Sequence, residues 1–555
     1  MAEPVGADRP GSVAVALRRT ANPSGLSSTV ALLRPPCVVL PNSLATHGPT
    51  PPLGLAYVAA ALRDAGHEVQ LIDAPGEGIH QSVEFESPVG TLEQIGLSPA
   101  EIVDRIDPGT TIIGITNMFV HEWPHIREIA ERAKQRFPDA FVVLGGENAT
   151  AFARWILEGC EAVDCCVLGE GEVTMVVLAD LLAEGKPLVD LPGIAIRDSV
   201  SGDVFDAGLP VRLSKVELRG APRPAWDLVP LETYWEHYPF FGVDRGRSMQ
   251  VLGTRGCPYK CTFCSSPQMW TTKYVVREPD DVVDEIVSYV ERYGVQNINF
   301  VDLTAATNRK WTLGLCDALE ERAPGITWQL PVGTRIEAID REVLERIYAT
   351  GCRNITFAPE SGSPRLLELM DKRVKLDHVM QAVVEGTDVG LRTTINILIG
   401  HPEERWSDLW HSATFMLRAA WAGCSDVAVM MFCPYPGSVD FTNMVESGRH
   451  KLDEAAYYVG LSRSSAHHRS WNDRFTSRQL RLLQLVFIAS FYSTSMLRRP
   501  QRIWRFLKSQ AVGDEDTYLQ QMVRTKRRKL QAAPGDRPAA AHDPVRPEPA
   551  AARRT

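Results

Sequence analysis

The stretch Arg255-Gly256-Cys257-Pro258-Tyr259-Lys260-Cys261-Thr262-Phe263-Cys264 puts three cysteines within eight residues, at spacings of four and three. Thiolates are soft ligands that suit iron–sulfur clusters or zinc, and so close a spacing lets one loop wrap a single polynuclear centre. A tetrahedral structural zinc site would want a fourth Cys or His nearby, and the flanks from Met249 to Thr272 hold none. Structural thiols would share an apolar face, whereas Gly256, Pro258 and Lys260 mark a polar loop. The stretch therefore reads as a cluster loop in which Cys257, Cys261 and Cys264 are the ligands, with one iron left open.

Downstream, the apolar strand Met249–Gly253 feeds the loop, and helix Pro279–Tyr293 is followed by strand Asn297–Val301. Further strands read at Thr327–Pro331, Asn354–Ala358, Thr393–Ile399 and Val427–Phe432. Six strand–helix units predict a partial (β/α)6 barrel, with its active site at the C-terminal strand ends. Beyond it, residues 451–530 read as a helical region in which Phe487, Tyr492, Met496, Trp504 and Phe506 are core or lid. Lys526-Arg527-Arg528-Lys529 reads as a solvated helix face.

Upstream, short apolar runs alternate with amphipathic segments from Val30 to Leu182, which predicts a parallel sheet covered on both faces. Ligands of such sheets sit beyond the C-terminal strand ends. There this chain gathers Gly114-Ile115-Thr116-Asn117, Gly145-Gly146-Glu147-Asn148 and Gly169-Glu170-Gly171-Glu172. Glycine lets backbone approach a large ligand closely, and each loop opens a helix whose amides can bind polar groups. His121-Glu122-Trp123-Pro124-His125 matches H-E-x-x-H in letters only. Pro124 belongs at the first turn of a helix, which leaves His121 in the loop before it. Cys160, Cys165 and Cys166 read as buried thiols.

Length, 555 residues, suggests two to four domains, and the 44% hydrophobic and 23% charged content is that of a globular protein. A net charge of −9 argues against a nucleic-acid coat. No apolar run of 18 residues is apparent, so no membrane span is expected, and eleven cysteines without framework spacing suit a reducing cytoplasmic setting.

The C-x3-C-x2-C loop, with Phe263 directly before the last cysteine, resembles the radical S-adenosylmethionine (radical SAM) enzymes. The resemblance implies a 4Fe-4S cluster on Cys257, Cys261 and Cys264 whose open iron binds SAM. Ala358-Pro359-Glu360-Ser361-Gly362-Ser363 is similar to the family's fourth-strand SAM contact, implying Glu360 and Ser361. Asn396-Ile397-Leu398-Ile399-Gly400-His401-Pro402-Glu403 resembles its fifth-strand adenine pattern, implying Leu398 and Gly400. It departs from that pattern at Asn396 and Leu398. Phe263, Asp302 for the amino group and Arg335 for the carboxylate complete the implied SAM site. The turn Pro434-Tyr435-Pro436-Gly437-Ser438 also recurs in that family.

Pro52-Leu53-Gly54-Leu55 with the three glycine loops resembles the cobalamin-binding domain placed ahead of many radical SAM cores. Pro52, Gly54, Thr116, Asn117, Gly145, Gly146, Glu147, Gly169, Glu170, Gly171 and Glu172 are the implied cobalamin contacts, without an Asp-x-His-x-x-Gly axial histidine. The expected fold is α/β. A disordered leader (1–28) precedes a Rossmann-like cobalamin-binding domain (29–200) and a packed linker (201–245). The radical SAM barrel (246–450), helical region (451–530) and disordered tail (531–555) follow.

The cobalamin-dependent class, which includes methyltransferases and the anaerobic Mg-protoporphyrin monomethyl ester cyclase group, implies three cofactors: a 4Fe-4S cluster, S-adenosyl-L-methionine and cobalamin. It implies methyl transfer to an unactivated carbon or phosphorus of a small-molecule substrate of antibiotic or other secondary metabolism. A flavodoxin or ferredoxin-type electron donor is implied as partner, with neither a membrane nor nucleic acid expected. Ring closure or oxidation without net methyl transfer is the alternative, and tRNA methylthiolation a more distant one.

Overall fold

The computed structural model describes residues 25–41, 48–188, 191–198, 201–208, 212–237, 242–462, 469–512 and 516–531. The expected leader up to residue 24 and the tail from 532 lie outside these residues. So do the side chains of Lys526 to Lys529.

The first sheet contains β1 (Thr29–Arg34), β2 (Glu68–Asp73), β3 (Ile112–Thr116), β4 (Phe141–Gly145), β5 (Cys165–Val167), β6 (Ile194–Arg197) and β7 (Val204–Asp206). Their order is β7-β6-β5-β4-β3-β1-β2. β2, β1, β3, β4 and β5 are parallel, and β6 and β7 join antiparallel. The Val30–Leu33 run has no polar residue because both faces are covered: Val30 and Leu32 enter one core, Ala31 and Leu33 the other. The same alternation sends Cys165 and Cys166 into opposite cores. The strand order reverses between β1 and β3, the crevice where open α/β sheets bind ligands.

The second sheet is β8 (Ser248–Val251), β9 (Asn297–Phe300), β10 (Thr327–Thr334), β11 (Cys352–Glu360), β12 (Arg392–Ile399) and β13 (Asp426–Met431). They pair in sequence order and all parallel, forming the six-stranded partial barrel. Helix Pro279–Tyr293 has Pro279 in its first turn, Asp280 and Asp281 at its positive end, and left-handed Gly294 as C-cap.

The sequence reading missed the antiparallel sheet formed by Cys37–Val39, Ser82–Ser87 and Gly90–Ile95. Its glutamate-rich outer strand lacks an apolar run, since one side faces solvent. In the segment between the two large sheets, Trp226 and Tyr234 are buried in an apolar core that continues into the barrel. Trp226 Nε1 donates to Tyr289 Oη at 2.9 Å, and Tyr234 Oη donates to Asp73 at 2.7 Å.

Helix Ser477–Arg498 starts on a Thr476–Gln479 capping box. Leu480, Gln484, Phe487 and Phe491 turn towards the barrel, where Gln484 donates to the Val429 carbonyl of β13 at 2.6 Å. By length and composition alone this helix could cross a membrane, yet it lies along the barrel. Trp504, expected in core or lid, is 74% exposed.

Candidate active site

β8 ends at Val251, and the ribbon Thr254–Arg255/Val275–Val276 carries the chain into the cysteine loop. Gly256 has φ +83°, and a Cβ there would collide with the Lys273 carbonyl, so the turn into Cys257 needs bare backbone. The amide of Cys264 donates to the Cys261 carbonyl at 3.1 Å, and that of Thr262 to the Met370 carbonyl at 3.0 Å. Thr262 also bonds Asp440, through its carbonyl at 3.0 Å and its hydroxyl at 3.1 Å. All three cysteines are half-buried free thiols. Burial pushes Cys261 up to about 11 and raises Cys264, so both remain protonated at neutral pH until a metal displaces the proton. Among the described residues, no three Cys, His, Asp or Glu groups converge as a single-ion site requires. A four-iron centre carries its own sulfides and needs ligands spread more widely.

Arg335, after β10, fits a ligand carboxylate. Its Nη2 is taken by the Arg373 carbonyl and by Glu337, but buried Nε and Nη1 have no partner, and Tyr259 stacks 3.5 Å from its guanidinium. Glu360 ends β11 at φ +66°, rare for a residue with a side chain, and pairs with Lys372 at 3.1 Å. Lys372 in turn sits 5.8 Å from the centre of the Phe263 ring. Lys372 and Tyr259 escaped the sequence reading, because only folding brings them to the strand ends.

Several expected SAM contacts have other employment. Asp302 is buried, accepts from the Thr254 amide and hydroxyl and from the Gly253 amide at 3.2 Å, and so pins the start of the cysteine loop. Burial pushes its carboxyl up to about 6. Ser361 bonds Ser412 and the Ser363 amide inside the helix packing. Gly400 has φ +84°, and a Cβ there would lie 2.8 Å from Leu480, so packing against the C-terminal helix explains that glycine. Leu398 packs with Phe263, Cys433 and Trp471.

On the facing sheet, Thr116 ends β3, and the Asn117 amide donates to the Gly145 carbonyl at 2.6 Å. Gly146 has φ +113°, and a Cβ there would lie 2.7 Å from the Asn117 carbonyl. Asn117 Oδ1 accepts from Asn148 at 3.1 Å, while its fully buried Nδ2 has no partner. This bare cradle with an orphan donor fits the amide-rich edge of a corrin. Pro52 caps helix Leu53–Asp64, and Gly54 faces open space. Gly169 donates to Thr150 Oγ1 at 3.0 Å, and a Cβ on Gly171 would make ordinary contact with Val58.

The three acids of these loops, expected as cobalamin contacts, have protein partners. Glu147 accepts from Ser265, next to Cys264. Arg255 bonds Glu170 at 3.0 Å and Glu172 at 2.7 Å, and Arg212 bonds Glu170 from the other side. Two buried cations are thereby matched by two carboxylates across the junction. Arg212 comes from the segment read as linker, and its buried Nη1 and Nη2 have no partner. His121 lies in a 3-10 turn, and the helix begins at Trp123, so the H-E-x-x-H letters do not share a helix face.

Beside the junction, Phe152, Trp155, Tyr435, Phe441, His450 and Tyr457 line an aromatic cleft between the first sheet's helix, the turn after β13 and the C-terminal region. Burial pushes His450 down to about 4, leaving it neutral at pH 7.

A partial barrel with a three-cysteine loop after its first strand defines a radical SAM enzyme, and the Radical SAM superfamily matches residues 251–416. The B12 binding domain matches residues 43–179. The chain thus joins a B12 binding domain to a radical SAM domain, the pairing of the cobalamin-dependent radical SAM enzymes that it resembles, and its cofactors are a 4Fe-4S cluster, SAM and cobalamin. An uncharacterized methyltransferase of Pyrococcus horikoshii is 27% identical over 391 residues, 70% of this chain and 77% of that one. Cytidylyl-2-hydroxyethylphosphonate methyltransferase of Streptomyces wedmorensis is 29% identical over 377 residues, 64% and 69%. The anaerobic magnesium-protoporphyrin IX monomethyl ester cyclase of Rubrivivax gelatinosus is 24% identical over 400 residues, 70% and 66%. The radical SAM methyltransferase TsrM of Kitasatospora setae, solved with cobalamin and a [4Fe-4S] cluster, shares the fold at TM-score 0.59 and 17% identity, over 84% of this chain and 89% of that one.

Proposed function

We propose that the chain methylates an unactivated carbon, or phosphorus, of a small secondary metabolite, the methyl passing from SAM by way of cobalamin. The observation that carries this reading is the clamp between the cysteine loop and the glycine loops, Arg255 to Glu170 and Glu172. It holds the two cofactor-binding rims face to face, as transfer between cofactors and one substrate requires. When bound, the cluster and SAM supply a hydrogen-abstracting radical, and cobalamin supplies the methyl group.

In this reading Cys257, Cys261 and Cys264 hold the cluster, and Arg335 takes the SAM carboxylate. Phe263, Glu360 and Lys372 line the SAM side, and Asn117 with Gly145 and Gly146 takes the corrin edge. An acidic flavodoxin or ferredoxin delivers the electron.

The test is turnover with SAM deuterated in its methyl group. Labelled methyl in the product supports methylation; an unlabelled product with consumed SAM favours ring closure or oxidation, for which the cyclase relative argues. Against tRNA methylthiolation, Cys165 and Cys166 point into opposite cores and the described C-terminal region is helical.

A further inference from the structure

Helices Trp406–Ala422 and Ser477–Arg498 pack side by side on the outside of the barrel. Trp406 meets Phe475 at one end of the pair and Arg498 lies over Trp421 at the other, so the helices run in the same direction. Helix Gln501–Val512 continues the surface, tied to it by Arg499 and Arg502, which bond the Ala422, Gly423 and Cys424 carbonyls.

The outward face of these three helices is apolar. Trp410, Trp421, Leu482, Leu497, Trp504 and Leu507 are all more than half exposed, and Leu485 of helix Ser477–Arg498 is 43% exposed. Helix Ser477–Arg498 is apolar enough to span a bilayer, yet only 28% of its apolar window is buried, unlike a core helix. Six such residues on three adjoining helices mark an interaction site rather than singly scattered exposed residues.

Charge identifies the occupant. Between residues 477 and 512 the sequence has seven Lys or Arg and no Asp or Glu, on a chain whose net charge is −9. The one acid of helix Trp406–Ala422, Asp408, is buried and paired with Arg365. A two-fold contact with a second copy would set the cations of these helices against one another. Tryptophans and leucines flanked by Arg and Lys match the headgroup region of an anionic bilayer, where aromatic rings take the interface and cations the lipid phosphates.

We propose that this face docks the enzyme on an anionic lipid surface. The contact is peripheral, because Leu480, Phe487 and Phe491 of the same helix are committed to the barrel. It stands independently of the methylation reading.

The test is sedimentation of the full-length, cofactor-reconstituted protein with phosphatidylcholine vesicles, with and without an equal share of phosphatidylglycerol. The expected result is partition to the mixed vesicles, weakened by salt, and little to the neutral ones. Leu485→Ser/Trp504→Ser should lower that partition at least tenfold, and so should Arg505→Glu/Lys508→Glu. Both variants should keep dithionite-driven SAM cleavage in solution within twofold. If one variant misfolds, the other decides. Wild type remaining in the supernatant with mixed vesicles at low salt would overturn the proposal, as would both variants binding like wild type. A stable dimer in light scattering that Leu485→Ser/Trp504→Ser splits would also overturn it, in favour of a second copy.

Discussion

The two rims that meet at the junction treat their charged groups in opposite ways. The barrel rim leaves donors unspent: Arg335 keeps buried Nε and Nη1 without partners. The rim of the first sheet spends its acids on the barrel, with Glu147 on Ser265 and Glu170 and Glu172 on Arg255. The difference separates binding from assembly. Groups aimed at a ligand lack a protein partner, whereas the conspicuous acids of the Gly169-Glu170-Gly171-Glu172 loop fasten one half of the enzyme to the other.

The sharpest break of this contrast is at the cysteines. Cys257→Ala, Cys261→Ala and Cys264→Ala should each abolish SAM cleavage and lose the cluster's visible absorption, while cobalamin binding persists. Next comes Glu170→Gln, which leaves Arg212 and Arg255 undercompensated in a buried site, a loss of about 3–5 kcal/mol. It should lower the thermal midpoint and impair both cofactors together, the signature of assembly rather than of one binding site.

Arg335→Met should weaken SAM binding about 10- to 100-fold, the range for lost charged hydrogen bonds, and leave cobalamin affinity unchanged. Gly146→Ala should do the converse, since a Cβ there meets the Asn117 carbonyl at φ +113°. A loss of about 1–3 kcal/mol in cobalamin affinity is expected, with SAM cleavage retained but uncoupled from product. Equilibrium binding of each cofactor separates the two variants.

The smallest effect lies away from both rims. Glu404 is fully buried, and burial pushes its carboxyl up to about 8. A folded-state value above the unfolded one gives stability that is full below about 4.5 and lost as pH rises through 8. The advantage of wild type over Glu404→Gln should therefore shrink across that window in denaturant titrations at several pH values.

Most of this fold could be read from local sequence. Apolar runs such as Val30–Leu33 mark strands covered on both faces, and the cysteine spacing marks the loop that makes the chemistry. What escaped was partnership at a distance. Nothing local shows that Arg255 reaches Glu170 and Glu172, that Asp302 holds Thr254, or that Gly400 makes room for Leu480. Glycine and carboxylate patterns look alike whether they cradle a cofactor or a neighbouring helix, and only the unpaired atoms tell them apart. The antiparallel sheet formed by Cys37–Val39, Ser82–Ser87 and Gly90–Ile95 stayed hidden for another reason: its two longer, half-solvated strands have no apolar run.

Tyr234 lies beneath the first sheet, donating to Asp73 and accepting from Arg34 at 2.7 Å, while nearby Trp226 donates to Tyr289 of the barrel. The stretch between the halves is thus a keel rather than a tether. Gene fusions that exchange the front half among relatives would have to carry this keel with it, because a crossover placed after Leu191 would strand both aromatic residues against foreign partners.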